Sequence, residues 1–197
     1  ISRQMMINDD LNAIDELISS YGEMIAHFEE STFYAFALGA VLADGNPLFR
    51  SQRNSLAASG SAITVSSVGA GRAAIRKQKS VDGQNLNLVP TLLLVGPDKE
   101  IEAEQLVASI TANDTVEVIP LSGKLSPVVT PEVAGNAWYL LAEGRGAPFV
   151  YGYLDGAAAP RIRTDEPFGA QGMGMTIEHD FGMGAVDYRG GWKNPGD

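Results

Sequence analysis

Residues 176–194 read TIEHDFGMGAVDYRGGWKN and alternate as one long β-strand does. In an extended chain Ile177, His179 and Phe181 share one face while Glu178 and Asp180 share the other, because strand side chains alternate with a period of two. The stretch also contains glycines at positions 182, 184, 190 and 191. Each glycine marks a bend, a bulge or a close approach of two backbone segments. The pattern predicts a two-faced closing strand and is not typical of a flat enzyme core.

The start of the chain predicts a long amphipathic helix. Asn8, Asp9 and Asp10 can cap its amino terminus by accepting hydrogen bonds from free backbone N–H groups. Apolar or small residues then recur every three or four positions, at Leu11, Ile14, Ile18, Tyr21, Ile25, Phe28 and Thr32. We therefore expect a helix over residues 9–38, ending at Gly39 and buried by one stripe against a sheet that includes residues 175–188.

The middle of the chain alternates between helix and strand. After a Gly-, Ser- and Asn-rich connection over residues 43–64, helices are predicted over residues 66–79 and from residue 98. In the second of these helices Ile101, Leu106, Val107 and Ile110 are expected to face inward. A strand over residues 88–95 is apolar on both faces and should be buried, and a further strand is expected over residues 115–121. Residues 122–131 are predicted to form a loop, which completes an α+β unit.

From residue 137 onward the chain turns to strands. The pattern predicts them over residues 138–142, 149–154, 161–164 and 175–188, separated by Gly, Pro and Asp turns.

Composition narrows the possible function classes. The chain has 197 residues, 45% of them hydrophobic, which is enough for one large domain or two small ones. It has no cysteine and a formal net charge of −10. We find no signal peptide and no apolar run of the roughly 20 residues that cross a bilayer. The one dense basic cluster, Arg72, Arg76, Lys77 and Lys79, is predicted to be a solvated helix face, so tight binding to nucleic acid is not expected.

Catalytic and metal-binding arrangements are weak in this sequence. The histidines are His27 and His179, and a hydrolytic triad needs one of them within reach of both a nucleophile and an acid. Three serines, Ser19, Ser20 and Ser31, lie near His27 in sequence, but a helix would hold them in fixed directions. Residues 178–180, Glu-His-Asp, point to alternating faces of a strand and cannot close around one ion.

Two glycine-containing signals also fail as nucleotide motifs. Gly69-Ala70-Gly71 follows a Ser-rich loop and lacks the third glycine of a dinucleotide fingerprint. Asp180-Phe181-Gly182 spells the magnesium motif of kinases, but the other kinase segments are missing. The sequence therefore predicts no catalytic residue, no cofactor-binding residue and no metal ligand, and no cofactor.

A series of short motifs, in order along the chain, resembles one protein family. They are Ser2-Arg3-Gln4 with Asn8-Asp9-Asp10-Leu11, residues 72–79 leading into Asp82-Gly83, the run LVPTLLLVGP at 88–97, NAWYL at 136–140, YLDG at 153–156, HDFG at 179–182 and DYRG at 187–190. Together they resemble the major head protein of Mu-like phages and prophages, a branch of the tailed-phage capsid fold of the Hong Kong 97 type. The resemblance spans the whole chain.

The resemblance implies an α+β fold in which a long spine helix packs on a mainly antiparallel sheet, beside an α+β axial domain. Residues 1–50 would form the first part of the peripheral domain with the spine helix, and residues 51–148 the axial domain. Residues 149–197 would return to the peripheral domain and close the axial domain. Because the chain opens at Ile1, inside the approach to the spine helix, we expect it to be a carboxy-terminal portion without the amino-terminal arm and extended loop.

The function that the resemblance implies is structural. The chain would be a subunit of an icosahedral head shell, assembling with copies of itself into pentameric and hexameric capsomers, without enzymatic activity. Other implied partners are a head-maturation protease, a portal and a scaffold, with at most weak, non-specific contact with packaged DNA and no membrane. Its location would be the bacterial host cytoplasm and then the virion head. Two alternatives stay open: part of a fused polyprotein with head-maturation protease activity upstream, and a generic soluble interaction module.

Overall fold

The computed structural model describes residues 13–108, 124–165 and 172–197, together with residues 1, 4 and 169. The helices are α1 (Ala13–Leu38), α2 (Val65–Arg76) and α3 (Glu100–Val107). The strands are β1 (Pro90–Val95), β2 (Ser126–Val129), β3 (Trp138–Ala142), β4 (Phe149–Tyr153), β5 (Arg161–Asp165), β6 (Gly174–Glu178), β7 (Phe181–Ala185) and β8 (Gly191–Asn194). Ile110 and the strand predicted over residues 115–121 lie outside the described residues.

The chain divides into two compact units. Unit 1 contains Ile1–Phe33 and Tyr151–Met183, and unit 2 contains Tyr34–Val150 and Gly184–Asp197. The divisions fall inside α1, β4 and β7, whereas the sequence placed the domain limits after residues 50 and 148. The assignment of peripheral and axial domains stays a prediction.

The predicted long helix is present as α1. Asp15 and Glu16 in its first turn interact favourably with the positive end of the helix dipole. The helix continues through Gly22 and ends before Gly39, as expected. The prediction that its whole stripe is buried is wrong, because Tyr21 and Phe28 are exposed.

In unit 2 a four-stranded sheet has the order β2-β1-β3-β8. Strand β1 pairs in parallel with β2, while β3 runs antiparallel to both β1 and β8. Leu93, Leu94 and Val95 of β1 are buried, which confirms a strand covered on both faces over its second half. The sheet is therefore mainly antiparallel.

Strand β2 lies where the sequence predicted a loop, so that prediction is wrong for residues 126–129. The segment Ser-Pro-Val-Val is short and contains Pro127, which cannot donate a backbone hydrogen bond. Because β2 is at the edge of the sheet, one side of the strand needs no ladder partner and the proline is tolerated.

The main core of unit 2 lies between α2, α3 and the sheet. Its fully buried side chains include Val68, Ile75, Leu93, Trp138 and Leu140. The rings of Trp138 and Trp192 have centroids 5.2 Å apart, and the Trp138 indole N–H donates to the Ser61 carbonyl at 2.9 Å. Burial of each large apolar side chain contributes on the order of 2 kcal/mol, so this cluster supplies much of the stability of the unit.

Helix α2 begins at a capping box. The Thr64 hydroxyl accepts from the Ser67 backbone N–H at 3.1 Å, and the Ser67 hydroxyl accepts from the Thr64 backbone N–H at 2.9 Å. Two otherwise unpaired backbone donors are thereby satisfied. The helix ends at Arg76, three residues before the predicted end at Lys79.

Helix α3 confirms part of the predicted inner face, since Leu106 is buried and Val107 packs against the core. Ala103 and Leu106 are buried, but Ile101, which was expected to face inward, is 69% exposed. Positions 101 and 103 are about 200° apart around a helix axis, so a helix that buries Ala103 must direct residue 101 outward.

The predicted strand over residues 175–188 is divided. Strand β6 pairs with β5 in one ribbon and β7 pairs with β4 in another, with a break at His179 and Asp180. The predicted shared face of His179 and Phe181 is confirmed at the break, because their two rings lie on the same side of the chain with centroids 5.5 Å apart. A single sequence shows which residues are extended but not which partner each half takes.

Candidate functional site

The histidine and serines of α1 do not form a triad. His27 and Ser19 are exposed. The hydroxyls of Ser20 and Ser31 donate to backbone carbonyls three residues earlier, at 2.8 and 3.2 Å. These serines are therefore bonded to their own helix and are not directed at a general base.

The acidic and histidine residues at 178–180 contact three separate partners. Glu178 pairs with Arg163 (3.3 Å), His179 with Glu29 (2.8 Å) and Asp180 with Arg161 (2.6 Å). In the part of the chain that the structure describes, no group of three His, Asp or Glu side chains could hold a metal ion.

The two glycine-containing motifs have packing roles. A Cβ atom at Gly71 would lie 2.6 Å from the Trp192 ring and 2.7 Å from Leu140, so the glycine allows α2 to lie close to the sheet. In the second motif, Asp180-Phe181-Gly182, the Phe181 ring packs edge-on against the Phe28 ring, with ring centroids 6.0 Å apart. Gly190 also confirms the expected close approach, since its Cβ would overlap the Gly146 carbonyl oxygen. A Cβ atom at Gly182 would meet no atom within 4 Å, so that glycine is not explained by a close approach, and a bend or bulge there stays a prediction.

A polar cluster within unit 1 joins α1 to the strands. The carboxylate of Glu29 accepts a hydrogen bond from the Tyr151 hydroxyl and lies 2.8 Å from His179 Nε2. The His179 and Glu29 side chains are 7% and 19% exposed. Burial alone would raise the pKa of Glu29, but hydrogen bonds from Tyr151 and His179 outweigh it, so the pKa is lowered. Burial and the bond to Glu29 raise the pKa of Tyr151.

Aromatic rings surround this cluster. The Phe33 ring packs edge-on against the Tyr151 ring, with centroids 6.0 Å apart, and the centroids of the Tyr153 and His179 rings are 5.7 Å apart. With the Phe28–Phe181 contact, these rings place the end of α1 in unit 1 on residues of β4 and β7. The predicted packing of the helix is therefore confirmed for the part of the strand at His179 and Phe181, whereas residues 175–178 belong to the separate β5–β6 ribbon. The arrangement joins α1 to the strands within unit 1.

A second feature of α1 is an apolar stripe that is largely exposed, although its last member, Phe28, touches Phe181 with one edge. Leu17, Tyr21, Met24 and Phe28 are spaced three and four residues apart, so they lie on one side of the helix. Each is between 42% and 62% exposed. We call these four residues the α1 stripe. Contiguous exposed apolar surface of this kind is typical of sites that contact other molecules.

Unit 2 contains a cleft of about 780 Å³ whose lining includes Asp82, Arg145, Asp187 and Arg189. Arg189 donates to Asp187 at 2.7 Å, and this bond raises the pKa of Arg189. The guanidinium is paired with Asp187 through Nη1 and lies 5.1 Å from the Tyr188 ring centroid, whereas its buried Nε has no hydrogen-bond partner among the described residues.

Sequence reasoning missed the partners of His179 and the exposure of the α1 stripe. Glu29 and Tyr151 are separated from each other by more than a hundred residues, so no local pattern connects them. A weak signal for the stripe did exist. The apolar positions of α1 include Leu17 and Met24 beside the predicted stripe, and one ribbon of strands cannot cover so wide an arc.

The described residues contain no helix with the length and apolar character needed to cross a membrane.

Two solved structures resemble the chain. A structure from Mycobacterium phage Che8 matches with a TM-score of 0.57 and 11% identity over 100% of this chain and 69% of that chain. A structure described as the satellite phage P4 procapsid including size determination (Sid) protein has 12% identity over 71% of this chain and 40% of that chain. Its TM-score of 0.36 is too low to indicate a shared fold. The first match confirms the predicted α+β fold.

A search of curated proteins finds no match to the chain. The sequence pattern of one family, described as phage capsid protein, matches residues 1–194. A capsid family implies a structural, non-enzymatic role and a place in the virion head. Since the match spans nearly the whole sequence and agrees with the fold, the chain belongs to the phage capsid protein family.

Proposed function

We propose that the chain is a subunit of an icosahedral phage or prophage head shell, whose copies assemble into pentameric and hexameric capsomers around the genome. The family match over residues 1–194 carries the proposal. When two different surfaces of the chain meet head-to-tail between successive copies, they produce a ring if the rotation closes, which suits a protein that must tile a shell.

The surface chemistry favours a role in protein contacts within a shell over a role in tight DNA binding. A formal charge of −10 leaves no overall basic surface from which phosphate binding could gain by counterion release. The exposed α1 stripe is instead suited to contacts with protein. Contact with packaged DNA is therefore weak and non-specific at most.

We also propose a domain assignment and a lineage. Unit 1, with α1 as the spine helix, is the peripheral domain, and unit 2, with the four-stranded sheet, is the axial domain. The motifs at 88–97, 136–140 and 187–190 support the Mu-like branch of capsid proteins. The lineage further supplies the partners: a head-maturation protease, a portal and a scaffold, met in the host cytoplasm during assembly.

Expression of the complete gene that encodes this chain tests the proposal. We expect closed shells, or rings of five and six subunits, in negative-stain electron microscopy of the cell extract. Sedimentation should show the protein in particles far heavier than a monomer. A product that remains monomeric at every salt and protein concentration, with scaffold and protease genes supplied, would contradict a shell function.

A further inference from the structure

The dipeptide Asp-Gly occurs three times in the chain, at residues 44–45, 82–83 and 155–156. In such a pair the glycine has no side chain to hinder its backbone nitrogen from approaching the preceding carboxyl group. The nitrogen attacks Cγ of the aspartate, the amide proton and a carboxyl OH leave as water, and a five-membered succinimide ring forms. Water then opens the ring at either carbonyl. One opening restores aspartate, and the other gives isoaspartate, whose backbone runs through Cβ and Cγ.

At the first dipeptide the fold holds both reacting groups. The Asp44 carboxylate accepts hydrogen bonds from the Arg53 guanidinium and, at 3.1 Å, from the Asn46 backbone N–H. These bonds, mainly the one from Arg53, lower the pKa of Asp44 to about 2, so the protonated carboxyl group from which OH can leave is rarer. The Gly45 N–H donates to the Leu42 carbonyl at 2.9 Å. Ring formation at Asp44 therefore requires several bonds to break first.

At the second dipeptide the fold holds the attacking nitrogen. The Gly83 N–H donates to the Ser80 carbonyl at 3.0 Å, inside a hairpin over residues 79–85. The same hairpin is closed by the Ser80 N–H, which donates to the Gln84 carbonyl at 2.8 Å. The Gly83 amide must therefore leave this turn before it can attack the carboxyl group of Asp82.

The third dipeptide lies in the exposed turn after β4 and is held less firmly. Among the described residues, neither the Asp155 carboxylate nor the Gly156 N–H makes a hydrogen bond or an ion pair. The turn keeps one bond across the pair, from the Ala157 N–H to the Leu154 carbonyl at 3.0 Å. Asp155 also has a φ of 51°, in the left-handed region that is strained for a residue with a side chain. Leaving this conformation relieves that strain.

We infer that Asp155-Gly156 is a site of spontaneous succinimide and isoaspartate formation in the folded protein, whereas the fold protects Asp44 and Asp82. Isoaspartate adds one atom to the backbone between residues 155 and 156. The change falls within unit 1, in a turn whose Leu154 N–H donates to the Asp180 carbonyl at 3.2 Å. This chemistry does not depend on the proposed shell function.

Ageing of the purified, folded protein at neutral pH tests the site. At intervals the protein is digested, and isoaspartate in the three Asp-Gly peptides is measured by chromatography and by mass spectrometry with electron-based fragmentation, which distinguishes the two linkages. We expect the level at Asp155 to be at least about fivefold above that at Asp44 or Asp82, because one hydrogen bond that must break reduces the reactive population by about this factor. In urea-unfolded protein the three levels should be similar, since the restraints of the fold are then absent.

Two variants at this exposed position control the chemistry, and circular dichroism shows that each is folded. Asp155→Glu should abolish the modification there, because its ring would need six members. Asp155→Asn should give the same isoaspartate faster, because loss of ammonia from an amide does not require a protonated carboxyl group, and asparagine tolerates the left-handed conformation. Equal levels at the three positions of folded protein, or a level at Asp155 below either of the others, would overturn the inference. Isoaspartate that appears only after unfolding would do the same.

Discussion

At the scale of single residues, Asn194 at the end of β8 is a buried polar side chain of unit 2 that makes three hydrogen bonds. It is 2% exposed. Its Oδ1 accepts from the backbone N–H groups of Ser61 and Gly196, and its Nδ2 donates to the Ser61 hydroxyl, each at 2.9 Å. One amide thus joins the end of the sheet to the segment that precedes α2.

Asn194→Ala should lower the free energy of unfolding by about 1–3 kcal/mol, because it leaves two partly buried backbone donors without an acceptor. Urea unfolding of the chain measures the change. Asn136→Ala is the matched control, since Asn136 is exposed, and its effect should stay below about 1 kcal/mol. Equal effects of the two substitutions would show that the Asn194 bonds contribute nothing specific.

The lowered pKa of Glu29 predicts a pH dependence for unit 1. A carboxyl whose pKa is lower in the folded protein stabilises the fold above its unfolded pKa of about 4.5, and this stabilisation is lost as pH falls through the folded value. Melting temperature measured from pH 7 down to pH 3 should therefore decline less steeply below pH 4.5 in Glu29→Gln than in the unmodified protein. The exposed Glu100→Gln serves as control. Parallel curves for all three proteins would contradict a role for the Glu29 charge.

Single-residue features were predictable only where they are local. The shared face of His179 and Phe181 and the close approach at Gly190 follow from alternation and from glycine chemistry. The partners of Asn194 and Glu29 do not, because Ser61 and His179 are each more than a hundred residues away from them in sequence.

At the scale of elements, the contact between α2 and the sheet depends on how close a helix can approach two large side chains. Gly69 and Gly71 lie on the same helix, yet a Cβ at Gly69 meets nothing within 4 Å, while one at Gly71 meets Trp192 and Leu140. The two positions therefore form a matched pair.

Gly69→Ala should raise the free energy of unfolding by about 0.5–1 kcal/mol through helix propensity alone. Gly71→Ala should lower it by about 1–3 kcal/mol, because overpacking against an indole ring outweighs the same gain. Chemical denaturation of both variants measures the difference. Stabilisation of similar size by both would mean that the helix can move away from the sheet at no cost.

Long or strongly patterned elements were predicted from the sequence. A short strand, and a predicted strand whose two halves pair with different neighbours, were not. Helix α1 ends at Leu38 and strand β3 spans Trp138–Ala142, both as predicted, whereas the predicted start of α1 at residue 9 lies outside the described residues. Strand β2 is four residues long and contains Pro127, so its sequence cannot be distinguished from that of a loop. The split between β6 and β7 depends on pairing with β5 and β4, which one sequence does not reveal.

At the scale of the whole molecule, the fold class and family were predictable because many weak motifs occur in a fixed order along the chain. The assignment of peripheral and axial domains stays a prediction. The divisions between the two units fall inside α1, β4 and β7, and the sequence carries no signal for them because the side-chain periodicity continues through each of these elements.

The phage capsid family implies a structural, non-enzymatic role, and from it we predict that the protein has no hydrolase activity. Purified protein should cleave neither peptide nor ester substrates above a matched blank. His27→Ala should leave that background unchanged, as should His179→Ala, which should also lower the melting temperature because its ring is packed beside Phe181 and Glu29. Turnover that either substitution abolishes would contradict the structural role.

The division of unit 1 between the two ends of the sequence has a consequence for synthesis. Its helix is made first, but the strands that cover Glu29 and Phe33 begin only at Tyr151, after the whole segment from Tyr34 to Val150. At a translation rate of about 5–20 residues per second, that segment takes roughly 6–25 s to make. During that time the strands that cover the apolar side of the nascent helix have not yet been synthesised. We expect a chaperone that holds apolar segments to associate with ribosomes at this stage and to leave once the last strands emerge.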